Sequence, residues 1–273
     1  LVIDAFYTPL IANDLRSAAE RLTGRSVDQV LITHHHGDHI LGCQAFSPQT
    51  DILAAEDAYV VIRDDGQESL DGSLNGMAAE IKVLGERLQD EGDDVKHQEL
   101  AAELVDLQVR YDIFTTITLR LPNQTCKGTV KFIGSKRQVE FIPYELGHSP
   151  GNAVIFLPDD GILHMGDLLF ARGHPFMGHG DPDGWLRVLE AVEELAPRSI
   201  IPGHGALSTL EEVKLQYAYI ETSKKLVLEL IEAGKGAEAL SGIVLPEPFD
   251  SWEPAMLGQS SLEFLYQHYS KPR

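Results

Sequence analysis

Four potential metal ligands lie within one segment of six residues, and they are His34, His36, Asp38 and His39. Imidazole nitrogens and carboxylate oxygens are the groups that bind zinc and similar divalent ions in proteins. Because residues two apart in an extended backbone point the same way, His34 and His36 can bind one ion. A backbone turn at Gly37 then lets Asp38 and His39 face a second ion.

Three further residues of ligand type stand singly along the chain, each beside a glycine, and they are His148, Asp167 and His204. Each follows a predicted strand, and the glycines permit tight turns and close approach of the backbone. Active sites in layered α/β proteins gather at strand ends. The sequence therefore predicts that four strand ends supply one metal site. His35 points away from its two neighbours and is expected to take no part in it.

Short apolar runs lead into these motifs and predict the strands that position them. Residues 29–33 form a β-rich run that ends at the first histidine cluster, and residues 198–202 form another that ends near the last histidine motif. Residues 153–157 and 162–165 flank an Asp-Asp-Gly sequence, which is a hairpin signal. Amphipathic helical stretches alternate with these runs. The predicted fold class is therefore α/β.

A change in composition marks residues 62–125, where Glu, Asp, Lys, Ala and Leu dominate and apolar residues recur at helical spacing. We expect a mainly helical insertion between the first and second metal motifs, made of two helices broken near residues 92–94. It is either a solvated insertion or a lid, since long insertions often shape access to an active site. Residues 207–273 predict a helical C-terminal segment of the same single domain, which spans residues 1–273. The aromatic residues expected to dock this segment are Trp252, Phe264 and Tyr266.

Composition narrows the classes of partner. The formal net charge of −20 disfavours nucleic acid, because phosphates need a surface rich in Lys and Arg. No apolar stretch approaches the roughly 18 residues of a membrane span. Residues 1–5 lack the basic region of a signal peptide and predict a buried strand. We expect a soluble protein of the cytoplasm or periplasm that acts on a small molecule and binds no membrane. Its two cysteines are too few for a Cys-rich zinc site, and Cys43 is expected to pack in the core.

The metal motifs occur together in a recognisable order: His-x-His-x-Asp-His at residues 34–39, Gly-His-Ser-Pro-Gly-Asn at 147–152, Gly-Asp at 166–167 and Gly-His-Gly at 203–205. In this the chain resembles the metallo-β-lactamase superfamily over nearly its whole length. The resemblance implies an αβ/βα sandwich and two divalent ions, with zinc as the default and iron or manganese compatible with the same ligands. It implies that one ion is bound by His34, His36 and His148, and the other by Asp38, His39 and His204. Asp167 would bridge the two ions.

The resemblance also implies a chemistry. Two cations that share a water lower its pKa toward neutrality, and the bridging hydroxide can attack an ester, thioester, lactone or amide-like bond. Asp38 can accept the proton of the water as a general base, so Asp38 and Asp167 are the predicted catalytic residues. No serine or cysteine nucleophile is expected. The prediction is a dinuclear metallohydrolase.

Two subfamilies are similar to this chain. The aspartate at position 167 resembles the glyoxalase-II-like members, whereas the helical insertion and residues 178–185 resemble bacterial zinc hydrolases associated with sulfur-oxidation or quinoprotein systems. One alternative is thus a glyoxalase-II-type thioesterase, and another is a promiscuous β-lactamase. The lysines available to bind glutathione carboxylates are Lys224, Lys225 and Lys235.

Two alternatives belong to other functional classes. One is a di-iron redox protein, whose relatives carry a flavodoxin domain, and the other is a non-catalytic metal-binding module. A Gly-rich loop just after Asp167 adds His179 and Asp181 as candidate substrate contacts.

Overall fold

The computed structural model describes residues 1–271, which form two compact units. The first unit comprises residues 1–32, 36–52 and 59–123. The second unit comprises residues 33–35, 53–58 and the chain from residue 124 onward. Residues 272–273, which end the predicted C-terminal segment, lie outside the described residues.

Strands and helices alternate along the chain, in the mixed α/β class that the sequence predicts. The strands are β1 (Val2–Ile3), β2 (Gln29–Leu31), β3 (Asp51–Ala55), β4 (Gln124–Cys126), β5 (Val130–Ile133), β6 (Gln138–Leu146), β7 (Pro150–Leu157), β8 (Ile162–Phe170) and β9 (Ser199–His204). The helices are α1 (Pro9–Thr23), α2 (Gly37–Ile40), α3 (Glu56–Asp90), α4 (Asp94–Phe114), α5 (Pro182–Glu194), α6 (Leu210–Glu232) and α7 (Ala255–Ser270). None of the helices formed by these described residues combines the length and apolar character needed to cross a membrane.

In the first unit, β1 pairs in parallel with β2, and a strained loop leads from β1 into α1. Asp4 and Phe6 in this loop have φ angles of 55° and 57°, in the left-handed region that side chains disfavour. Backbone hydrogen bonds hold the loop, since Asp4 N donates to Leu31 O over 2.9 Å and Gly42 N donates to Phe6 O over 3.0 Å. The loop is therefore fixed from both sides.

The long helices α3 and α4 form most of the region between the first and second metal motifs. The predicted break near residues 92–94 lies where α3 ends and α4 begins, and Asp93 caps α4 by accepting hydrogen bonds from Val95 N and Lys96 N. The helix α3 begins at Glu56, directly after β3, and the region ends in the short strand β4. A small core of its own joins the two helices, and its buried members are Leu84, Leu100 and Leu107.

The second unit contains a five-stranded sheet in the order β5-β6-β7-β8-β9, in which β5 to β8 are antiparallel and β9 runs parallel to β8. Helices α5, α6 and α7 contribute to its main core, whose largest fully buried side chains include Trp185 and Tyr219. Trp252 is buried in this core, and Phe264 and Tyr266 pack against it. The predicted docking of the C-terminal segment through these three aromatic residues is confirmed.

The 3₁₀ turn Leu41–Ala45, which follows α2, packs so closely against the loop and the start of α1 that a side chain at Gly42 has no room. A Cβ at Gly42 would overlap the carbonyl oxygens of Ala5 and Thr8 and the Cβ of Ala12. We expect Gly42→Ala to lower the free energy of unfolding by about 1–3 kcal/mol, since inserted atoms force the packed backbone to shift. Urea unfolding of the purified variant measures this change.

The matched control is Gly72→Ala on the exposed surface of α3, where nothing lies within 4 Å of the added Cβ. That substitution should be neutral or stabilise by up to about 1 kcal/mol, because alanine favours helix more than glycine does. Equal effects of the two substitutions would contradict the close approach at Gly42.

Candidate metal centre

One carboxylate oxygen in the second unit is surrounded by imidazoles. Asp167 Oδ2 lies 3.8 Å from His34 Nε2, 3.6 Å from His148 Nε2 and 3.2 Å from His204 Nε2. His34, His148 and Asp167 are buried, whereas the His204 side chain is 49% exposed. Four of the seven predicted ligands are thus brought together within this unit.

His34 is oriented by the residue before it. The Thr33 hydroxyl lies 3.0 Å from His34 Nδ1, which leaves Nε2 to face Asp167. Thr33 is itself anchored to the sheet, because its carbonyl oxygen accepts a hydrogen bond from Ala153 N over 2.7 Å. Gly166, at φ 52°, passes so close to the Thr33 side chain that a Cβ there would collide with it. Contact of this kind with the remote ring nitrogen fixes the orientation of a metal-binding histidine.

His148 lies on a tight turn between β6 and β7. The turn is braced by Asn152, whose Oδ1 accepts from Ser149 N and whose Nδ2 donates to Ser149 O. Ser149 and Asn152 therefore fix the turn that carries His148. The sequence Gly147-His148-Ser149-Pro150-Gly151 also has the Gly-x-Ser-x-Gly spacing of a serine nucleophile. Ser149 is completely buried, however, and its Oγ lies 3.2 Å from Asn152 Oδ1, so it is not presented to a substrate.

Aromatic rings that the sequence analysis missed enclose the histidines of the second unit. The Trp185 ring meets His148 edge-on at 5.1 Å between centroids, and its Nε1 donates to Leu168 O over 3.0 Å. The Phe170 ring stacks on His204 at 4.9 Å and an interplanar angle of 19°. Contact with these aromatic rings restricts the movement of the two imidazoles. Phe170 ends a buried strand in which apolar residues are expected, so the sequence does not single it out.

Gly203 allows β9 to approach Asp167. A Cβ at this position would overlap Asp167 Oδ1 and the backbone of Gly166. The glycine that precedes His204 in the Gly-His-Gly motif is thus required for the short distance between His204 and Asp167.

In the first unit, His39 is linked to two carboxylates. Asp4 Oδ2 lies 2.8 Å from His39 Nδ1, and Asp38 Oδ2 lies 3.2 Å from His39 Nε2. The short helix α2 carries Asp38 and His39, and His36 stands at its N-cap. Asp4 contacts the ring nitrogen of His39 that lies away from Asp38.

Tyr7 is a third aromatic residue that the sequence pattern does not indicate. Its ring meets Phe114 edge-on at 4.8 Å between centroids, and a Cβ at Gly37 would lie 3.0 Å from its Cε2. Burial raises the pKa of Tyr7, and the charge of Asp38 raises it further. Tyr7 is still 43% exposed, so its ring forms an accessible wall beside Asp38. Its only sequence signal is its position just after Asp4.

The candidate substrate contacts have different surroundings in the second unit. His179 is exposed, and its ring lies 5.7 Å from that of His35. Burial lowers the pKa of His35 to about 4, and the charges of His179 and His148 add to this effect. Asp181 caps α5 by accepting a hydrogen bond from Gly184 N, and its own N donates to Gly147 O over 2.9 Å. Substrate contact by His179 or Asp181 stays a prediction.

The lysines considered for glutathione carboxylates are engaged elsewhere or exposed. Lys224 Nζ lies 2.7 Å from Asp183 Oδ1, and Tyr269 donates to the same oxygen over 3.2 Å. Lys225 is exposed beside Glu229, one helical turn away. Lys224 is therefore already neutralised by a carboxylate.

The donor set of the second unit fits a divalent ion. The ligand atoms of His34, His148 and Asp167 lie within 4.8 Å of one another. Ligands of a tetrahedral zinc with bonds of about 2.0–2.1 Å are separated by roughly 3.3 Å, which is close to the observed separations. Two imidazoles and a carboxylate also have the chemistry that zinc, iron and manganese accept.

Comparison with known proteins agrees with this reading of the motifs. The family model of the metallo-beta-lactamase superfamily matches residues 1–204. Over 80 residues the chain is 35% identical to a hydroxyacylglutathione hydrolase of Synechococcus sp. (strain JA-3-3Ab), covering 28% of this chain and 31% of that protein. The alignment thus spans only about a third of this curated relative.

Solved structures are similar in fold. A metallo-beta-lactamase from Pontibacter korlensis matches with a TM-score of 0.57 and 15% identity over 81% of each chain. The stereoselective inverting sec-alkylsulfatase from Pseudomonas sp. matches with a TM-score of 0.69 and 17% identity, over 98% of this chain and 45% of its own.

The two cysteines should differ in reactivity. Cys43 is 1% exposed, and burial raises its pKa to about 12, whereas Cys126 is half-buried and its pKa is raised by burial alone. At pH 8 roughly one Cys43 thiol in ten thousand would be ionised, and the thiolate is the reactive form. We expect a thiol reagent to modify only Cys126 in the native protein and both cysteines in urea.

Mass spectrometry of the labelled peptides reads out this difference. Raising the pH from 7 to 9 should speed the labelling of Cys126, while Cys43 stays protected. Rapid labelling of Cys43 in the native protein would contradict its place in the core.

Proposed function

We propose, on the premise that this chain belongs to the metallo-beta-lactamase superfamily, that it is a metal-dependent hydrolase of ester, thioester, lactone or amide-like bonds. The observation that carries the proposal is the buried Asp167 carboxylate with three imidazole Nε2 atoms within 3.8 Å of one oxygen. A carboxylate and imidazoles converging from separate segments form a ligand set.

The proposed ligand set is the one that the motifs predict. It assigns one ion to His34, His36 and His148 and the other to Asp38, His39 and His204, with Asp167 shared. We propose two divalent ions, with zinc as the first choice. Bound there, such ions would supply Lewis-acid activation of a water and stabilise negative charge on the substrate oxygen.

The side chains of this chain have separate tasks in the proposed reaction. Asp38 is 39% exposed in its side chain, so it can accept a proton from a water beside it. Asp4 holds the imidazole of His39 from the other side and favours the tautomer with its proton on Nδ1. Trp185 and Phe170 limit the movement of the two histidine rings that they contact.

The substitution Asp167→Asn tests the ligand assignment. It preserves the size of the side chain and removes the charge that both ions would share. We expect the metal content to fall from about two ions per chain to one or fewer. Hydrolysis should fall by at least about 100-fold, because even the substitution of groups that only hydrogen-bond to metal ligands lowers metal affinity or activity by 10- to 100-fold. Elemental analysis and a panel of ester, thioester, lactone and β-lactam substrates provide the two measurements.

The control is Asp160→Asn in the same unit, where the carboxylate pairs with Arg137 on the surface. It should keep wild-type metal content and turnover. Normal metal content and turnover in Asp167→Asn would overturn the assignment. A wild-type protein that binds two ions and turns over none of the panel would favour the non-catalytic metal-binding module instead. Oxygen or nitric oxide reduction would favour the di-iron redox protein.

Thioester hydrolysis is a narrower form of the same proposal. It is supported by the 35% identity to a hydroxyacylglutathione hydrolase over 80 residues. The pairing of Lys224 with Asp183 removes one of the cations proposed to bind glutathione carboxylates. We therefore propose that any thioester substrate is recognised through its acyl part rather than through an anionic thiol.

Two thioesters with the same acyl group test this preference. The thioester of N-acetylcysteamine is neutral, whereas that of glutathione is anionic and is repelled by a protein of net charge −20. We expect kcat/KM to be several-fold higher for the neutral thioester at low salt. The difference should narrow between about 10 and 150 mM salt, because ions screen the repulsion. A preference for the glutathione thioester at every salt concentration would instead indicate a dedicated glutathione site.

A further inference from the structure

We propose that Gln216, on α6 and outside the region matched by the family model, is a positioning residue for the metal centre. It holds the irregular end of β8, which carries Asp167, against β9, which carries His204. The inference rests on the proposed function, because it concerns the same metal site.

Strand β8 has two register shifts against β9, one between His164 and Gly166 and a larger one between Gly166 and Phe170. Gly166 pairs with Pro202, and the next pair joins Phe170 to His204. Strand β8 therefore advances four residues while β9 advances two. Extra residues on one strand interrupt the ladder of hydrogen bonds and bend the strand locally. Asp167 is the first residue of this irregular stretch.

Gln216 accepts a hydrogen bond at the other end of the same stretch. Phe170 N donates to Gln216 Oε1 over 3.2 Å, and the Gln216 side chain is completely buried. The next amide, Ala171 N, donates to His204 O over 2.8 Å and restores the contact with β9. Because a buried backbone N–H requires an acceptor, Gln216 fixes where the irregular stretch closes.

The Phe170 ring contacts two of the proposed ligands, so its position affects both of them. It stacks on His204 with 4.9 Å between centroids, and its centroid lies 5.7 Å from that of His148. A shift of the Phe170 backbone would therefore move a surface that both imidazoles contact. Gln216 thus acts on the ligands through Phe170.

Core packing alone does not account for a glutamine at this position. Gln216 lies in the buried stripe of α6 with Val213 and Ile220, where apolar side chains pack. No described residue accepts a hydrogen bond from its Nε2. Burying a donor in this way is unfavourable, and an apolar residue of similar length would avoid it. Such a residue, however, would remove the acceptor of Phe170 N.

Three variants separate positioning from packing. Gln216→Met keeps the length of the side chain and removes the acceptor, whereas Gln216→Glu keeps an acceptor oxygen. Val213→Ala opens the same buried stripe of α6, one turn away. Affinities for Zn²⁺ and Co²⁺ are measured by competition with a chelating dye, together with the visible absorption of bound Co²⁺ and thermal unfolding of the metal-free protein.

We expect Gln216→Met to weaken the binding of at least one ion by roughly 10- to 100-fold and to change the Co²⁺ spectrum. Gln216→Glu should restore most of the affinity and the wild-type spectrum. Val213→Ala should lower thermal stability and leave the metal affinities within about twofold of wild type.

The contrary outcomes distinguish this inference from the proposed function. Wild-type metal affinity and spectrum in Gln216→Met would overturn the role of Gln216 and leave the hydrolase proposal intact. If Val213→Ala and Gln216→Met weakened metal binding equally, Gln216 would contribute only to core packing, and the inference would be overturned. A wild-type protein that binds neither Zn²⁺ nor Co²⁺ would overturn both proposals.

Discussion

A buried carboxylate facing three imidazoles is the constraint around which the second unit is built. Asp167 is 4% exposed, and a charge removed from water in this way is costly unless partners compensate for it. The three histidines that face it come from separate parts of the chain, so separate backbone segments must converge within a few ångströms. Glycines at positions 166 and 203 remove the side chains that would prevent this approach. The glycines of these motifs are therefore required for close packing around Asp167.

The C-terminal segment belongs to the same physical problem. The family model ends at residue 204, yet α6 and α7 supply Tyr219, Ile220 and Leu265 to the core that also contains Trp185. Because Trp185 covers one side of His148, the packing of that core limits how far the imidazole can move. Loss of apolar contacts beyond residue 204 would therefore loosen the packing that restrains the His148 ring.

Sequence reasoning succeeds for the fold class, because short apolar runs indicate strands. The α/β class, and the approach of histidines at strand ends to Asp167, follow from local patterns. The contacts of Gln216 and Tyr7 do not, because they depend on the irregular stretch of β8 and on a left-handed φ at Phe6. Asp181 is ambiguous for another reason, since an aspartate before proline fits a helix cap as well as a substrate contact. The sequence pattern gives Lys224 as an exposed lysine, whereas in the structure it forms a salt bridge with Asp183.

The two ends of the helical insertion have different surroundings. Around the break between α3 and α4, the helices rely on their own small core, and Val83 and Val95 are more than half exposed to solvent. At the opposite end, Phe114 closes α4 and packs edge-on against Tyr7, which borders Gly37 and Asp38. Tyr7 follows a loop with two left-handed residues, each of which costs about 1–3 kcal/mol and persists only when its surroundings fix it. Phe114 packs against Tyr7, so this end of the insertion contacts the segment between β1 and α1, whereas its far end is a hairpin exposed to solvent.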